Sequence, residues 1–189
     1  MLNQIVAVTL RTLIFRAGPQ DFPYVPTLAP WMPAAAVAAY FAVFQMVMPA
    51  GAALVLAGVS VAALALVTHS LLSARRMANR FQQTFHALLA TGIVLTLASV
   101  PPMGALAPAL RQIAQNPELL QQPGAVQASS AASLLLNVLN LWNFAVYAHI
   151  FRHATETRLW VGVLIALFVV FSVLLLSLLF APLLLAPFH

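Results

Sequence analysis

Apolar residues along this chain come in long continuous runs broken by short polar punctuation, not in alternation. No charged residue occurs between Asp21 and Arg75. That stretch is too long for one membrane crossing and long enough for two, since about 20 apolar residues (range about 17–25) cross a hydrocarbon core. Pro49-Ala50-Gly51 divides it, because Pro and Gly favour a tight turn. The first span is expected over residues 31–48, with Pro33 tolerable in a first helical turn, and the second over 51–73. Residues 73–80 form a basic connector. A third span, 82–100, is expected to stop at Pro101-Pro102.

Residues 111–130 are the one long polar segment. Asn116-Pro117-Glu118 and Gln121-Gln122-Pro123-Gly124 mark it as a loop, with a short surface helix expected over 106–120. The fourth span is expected over 130–151. A second basic connector, 152–158, leads to the fifth, 159–181, and Pro182 and Pro187 break the apolar tail. Continuous apolar runs favour helices over barrel strands, which would alternate lipid-facing and lumen-facing residues. Helices also satisfy their own backbone hydrogen bonds, as lipid demands.

Before the first span, Leu2, Ile5, Val6, Leu10, Leu13 and Ile14 recur at helical spacing, interrupted by Asn3, Gln4, Arg11 and Arg16. This predicts a short amphipathic helix on the membrane surface. Its arginines follow the apolar stretch, so it does not read as a signal peptide. Gly18-Pro19-Gln20-Asp21-Phe22-Pro23-Tyr24-Val25-Pro26 then makes a rigid entry to the bilayer. Tyr24 and Trp31 suit the interface, and the strip reads as an anchor or a partner-docking segment. The predicted fold class is all-α: a polytopic membrane helix bundle of about five transmembrane helices in a single domain, 1–189, with residues 1–30 as a cytoplasmic amphipathic and Pro-rich entry.

Composition supports lipid as the solvent. The chain is 63% hydrophobic and 6% charged, whereas a soluble domain is about 25% charged. The net charge of +5 comes from eight arginines and no lysine, against Asp21, Glu118 and Glu156. The arginines are scattered among apolar runs without a basic face, so they read as membrane topology and not as a nucleic-acid surface. With the N-terminus inside, Arg11, Arg16, Arg75, Arg76, Arg80, Arg152 and Arg158 lie inside, and only Arg111 outside. The expected location is a bacterial inner membrane, N-terminus cytoplasmic and C-terminus periplasmic. The chain has no cysteine, which removes thiol nucleophiles and thiolate metal sites.

Candidate chemistry is sparse. In the fourth span Ser130, Ser133, Asn137, Asn140 and Tyr147 fall on one stripe, with Asn143 at its edge. Amides in lipid need partners, so the stripe is expected to face the bundle interior or another subunit, with Gln45 as a candidate partner. The sharper reading is a substrate or ion path. His69, His86, His149 and His153 are all expected near the cytoplasmic boundary, and neutral imidazole is a good ligand for zinc, copper or haem iron. No carboxylate near the spans offers the usual supporting partner, so no cofactor is expected. Gly58-Val59-Ser60 has the look of an intramembrane serine nucleophile, but His69 is about 13 Å away along the same helix at 1.5 Å per residue. Arg75, Arg76, Arg80, Arg152 and Arg158 read as headgroup and topology residues.

Three stretches carry a family resemblance: the entry Asp21-Phe22-Pro23-Tyr24, the third-span start Phe81-Gln82-Gln83-Thr84-Phe85-His86-Ala87-Leu88, and Leu141-Trp142-Asn143-Phe144 leading to Phe151-Arg152. With a cytoplasmic N-terminal segment and five helices, the chain resembles the Yip family (Ypt/Rab-interacting membrane proteins) and its bacterial relatives. That family's Asp-Leu-Tyr-Gly-Pro motif is absent, so a GTPase partner does not carry over. The resemblance implies a non-enzymatic membrane scaffold that works with partners or as an oligomer. The function expected is a scaffold or accessory subunit of a membrane complex, with other membrane subunits or copies of itself as partners. A small oligomeric transporter of a small molecule or lipid, with the fourth-span stripe lining its path, is the first alternative. A haem- or metal-binding membrane protein is the second.

Overall fold

The computed structural model describes residues 2–23, 30–121 and 128–185. The chain is an all-helical membrane bundle, and no strand occurs among the described residues. Its helices are α1 (Leu2–Leu13), α2 (Trp31–Phe44), α3 (Ala50–Ala74), α4 (Phe81–Ala98), α5 (Val100–Gln115), α6 (Ser130–Ala154) and α7 (Leu159–Leu185). Four of them, α3, α4, α6 and α7, are long and apolar enough to cross a membrane, and α2 is a shorter apolar helix. Five helices close a ring in which α2 packs on α3, α3 on α7, α7 on α6, α6 on α4 and α4 on α2.

Two helix ends differ from the sequence pattern, and one expected stop is followed at once by a new helix. At 14 residues, α2 is about 21 Å long at 1.5 Å per residue. Residues 45–48 leave the helix in tight turns, with Met46 N bonded to Val43 O at 3.1 Å and Val47 N to Phe44 O at 3.0 Å. α4 stops at Ala98, just before Pro101 and Pro102, and those prolines then lie in the first turn of α5, a helix extending from Val100. Amide hydrogens in a first helical turn have no intrahelical acceptor, so proline there loses nothing. α7 continues through Pro182 to Leu185, with that proline inside the helix and not in its first turn.

The N-terminal segment is part of the packed bundle. α1 lies on α4 and α6, burying Thr9, Thr12 and Leu13 while Val6, Leu10 and Ile14 stay about half exposed. Burying Thr is tolerable because each hydroxyl donates to the carbonyl four residues back, Thr9 to Ile5 at 2.7 Å and Thr12 to Val8 at 2.9 Å. Trp142 Nε1 donates to Leu13 O at 3.1 Å, so α1 ends about 18 Å along α6 from Ala154 at 1.5 Å per residue. From there residues 14–23 run down α6 as a strap. The Phe15 ring stands 5.4 Å from His149 and 5.6 Å from Trp142. Gln83 Nε2 donates to Phe22 O at 3.2 Å. Phe22 is only 2% exposed, so this part of the entry is core and cannot serve as a free docking strip. Tyr24, Val25 and Pro26 lie outside the described residues.

The strap changes what half the bundle looks like. Every residue of α4 from Thr84 to Gly92 is buried, as are Val146 to Phe151 of α6. A helix enclosed on all sides must be covered by neighbours all round, and here the strap and α1 complete the cover. The five connector arginines lie at this end, where α3 and α6 finish and α4 and α7 begin. Arg80 ties two of these elements together, donating through Nη1 to Ala154 O at 3.2 Å and through Nη2 to the Glu156 carboxylate. Arg75, Arg76, Arg152 and Arg158 are exposed.

Candidate functional site

The α6 polar stripe does not have one environment. Ser129 caps the helix, its hydroxyl accepting from Ala132 N at 3.3 Å, and Ser133 Oγ donates to Ser129 O at 3.1 Å. Asn137 and Asn140 are exposed on the outside of the bundle, among Leu134, Val138 and Leu141 at 66%, 50% and 69% exposure. Asn143 and Tyr147, one and two turns further on, turn inward. Helical periodicity had put these residues on one side of α6. It could not show that Asn137 and Asn140 face away from the neighbouring helices while the inner half of α6 is enclosed. Gln45 is exposed at the end of α2 and makes no hydrogen bond to the stripe among the described residues.

Asn143 and Tyr147 line a cavity of about 370 Å³ between α2, α3, α6 and α7. Its polar groups come from four helices. The phenol oxygens of Tyr40 and Tyr147 meet above Gly92, where a Cβ would lie 3.4 Å from one and 3.7 Å from the other. Ser60 donates to Leu56 O at 2.7 Å. With that proton committed, the 3.3 Å contact between Ser60 and Ser177 has Ser177 as donor. Neither partner of Ser60 is a base, and His69 instead stands edge-on to Phe81 at 5.2 Å. Asn143 Oδ1 is buried and has no hydrogen-bond partner among the described residues. The rest of the lining is apolar, and no charged side chain contributes.

The histidines divide too. His69 is exposed and His86 is buried. His149 and His153 pair edge to face at 4.5 Å. His149 Nε2 donates to Ala17 O at 3.0 Å, so that nitrogen carries the proton and serves the strap. No group of three His, Asp or Glu side chains converges among the described residues. His153 instead borders a second, polar cleft of about 330 Å³ with Gln20, Arg80, Gln83 and Glu156.

The cavity residues Tyr40 and Ser177 were not read as candidates from the sequence. Tyr40 is a lone hydroxyl in an apolar run and Ser177 one of two in its run, with Ser172, and that was the available signal. No family model matches the chain, and no curated protein or solved structure does either.

Proposed function

We propose that the protein is a non-enzymatic membrane scaffold or accessory subunit that works as a self-associated oligomer, with the outer half of α6 as its contact face. The observation that supports this is the exposure of Asn137 and Asn140 in the middle of an apolar span. Lipid tails offer an amide no hydrogen-bond partner, and amides across helices contribute about 0.6 kcal/mol per pair. A second copy is the simplest occupant, because an asparagine amide both donates and accepts, so two identical faces satisfy each other about a two-fold axis. The resemblance to Yip proteins implies the same kind of role. The arginine-rich end would then face the cytoplasm of a bacterial inner membrane, by the positive-inside rule.

The absence of cysteine makes the test direct. Single cysteines are placed at 137, 140 and 141 on α6 and at 167 and 175 on α7, and native membranes are oxidised. Disulfides form only where Cα atoms come within about 7 Å. Covalent dimer at the α6 positions and none at the α7 positions is the expected result. Equal crosslinking on both helices, or none on α6, overturns the proposal.

A further inference from the structure

We propose that the cavity between α2, α3, α6 and α7 is a binding site for a neutral, lipid-soluble molecule that carries a hydroxyl group. Three features of the site define that ligand. The first is where the cavity opens. Its rim residues Val170, Leu174 and Leu178 are 41%, 55% and 66% exposed, on the flank of a helix long and apolar enough to span a membrane. Asn143 lies about 16 Å along α6 from Ala154 at 1.5 Å per residue, near the middle of a hydrocarbon core about 30 Å thick. The ligand therefore enters from hydrocarbon and not from water.

The second feature is charge. None of the lining side chains is ionised, so a charged headgroup would sit unpaired in a low-dielectric site, which costs far more than a neutral one. The third is the unsatisfied acceptor. Asn143 Oδ1 lacks a donor, and the hydroxyls of Tyr40 and Tyr147 line the same cavity. A ligand hydroxyl would accept from one of these phenols and, with the Asn143 side chain turned into the cavity, donate to its amide oxygen. The volume falls in the range of small-molecule sites, about 300–1,000 Å³, which are mostly apolar with a few convergent polar groups. The site lies within one chain and does not depend on self-association.

The test uses the full chain in liposomes and a hexadecanol bearing a diazirine as the probe. On irradiation the label is expected on the Val170–Leu178 and Tyr40–Phe44 peptides, and unlabelled hexadecanol should compete for it. Asn143→Leu removes the acceptor and should weaken labelling about three- to tenfold, the effect of one lost hydrogen bond. Should that variant fail to fold, Val173→Phe fills the cavity from a half-buried position and should abolish the label, while Leu164→Phe on the outer face of α7 should not. A diazirine-bearing hexadecane that labels the same peptides equally well overturns the proposal. So does label spread along the exposed face of α7 and indifferent to Asn143→Leu and Val173→Phe.

Discussion

The two ends of α6 show how differently one helix is treated along its length. Toward Ala154 it is enclosed, with Val146, Ile150 and Phe151 at zero exposure, and α4 runs beside it equally covered. Toward Ser130 it stands on the outside, and Leu134, Leu141 and two amides face away from the bundle. Exposed leucine is no fault in lipid, where tails are as apolar as the side chain. Exposed amides are the anomaly there. At the other end the neighbouring spans supply most of the enclosure, and the N-terminal strap and α1 complete it. The bundle is thus tightly built around its arginine-rich end and left open, with a cavity and a bare amide face, in the half beyond.

The largest way to break this contrast is to remove the strap's anchor. Phe22 is nearly inaccessible, and Phe22→Ala should destabilise the fold by about 3–5 kcal/mol. Leu141→Ala, the same truncation on the open half, should cost under about 0.5 kcal/mol in the isolated monomer, as surface changes do. Unfolding in mixed detergent and SDS micelles, followed by circular dichroism, measures both. Similar losses for the two variants would mean that the strap does not carry the enclosed half.

Gly162 marks where α7 closes on α6. A Cβ there would lie 2.6 Å from Ala148 O and 2.8 Å from Arg152 Cβ, and the nearest atom is backbone, which cannot swing aside. Gly162→Ala should therefore push the two helices apart and cost about 1–3 kcal/mol, as overpacking does. Glycine at such a contact lets helix backbones approach. An unchanged melt would show that α6 and α7 are as loose there as further out.

Arg80 tests the same end at smaller scale. Its guanidinium joins the end of α6 to the start of α4, but the Arg80 and Glu156 side chains are 36% and 64% exposed. Arg80→Ala should cost about 1 kcal/mol at low salt, and less as salt screens the pair. A loss that is independent of salt would point to the hydrogen bond with Ala154 O as the main contribution.

How much of this was legible follows from what periodicity encodes. Long apolar runs announced the five apolar helices, because lipid leaves few alternatives to a helix. The azimuth of the α6 stripe was also legible. Its division was not, because spacing does not record which neighbours end where along a helix. The spacing of Leu2, Ile5, Val6, Leu10, Leu13 and Ile14 predicts a membrane-surface helix for α1. Its bundle contact runs partly through Thr9 and Thr12, residues whose polarity hides inside their own helix. The stop at Pro101 and Pro102 was legible, and the helix that starts with them was not, because proline ends one helix and begins another with the same chemistry. The cavity joins Tyr40, Ser60, Asn143 and Ser177 from four helices, and no single stretch of sequence contains it.

The smallest effect expected has the opposite sign. Among the described residues three helices finish with a non-glycine residue at positive φ: Phe15 at 61°, Arg76 at 57° and Glu156 at 52°. In each case the next amide reaches back to an earlier carbonyl, as Met77 N does to Leu72 O at 2.7 Å. That closure normally favours glycine, since other residues cost about 1–2 kcal/mol in the left-handed region. Arg76 is exposed and has no side-chain hydrogen bond among the described residues, so it is the cleanest place to relieve the strain. Arg76→Gly should stabilise the fold by about 0.5–1 kcal/mol. Removing the charge alone confuses that reading, so Arg76→Ala is the needed companion: it loses the same guanidinium but keeps the Cβ. The difference between the two variants isolates the backbone contribution. If alanine and glycine melt together, the turn after α3 is free to relax, and this end of the bundle is less tightly built than the burial of α4 implies.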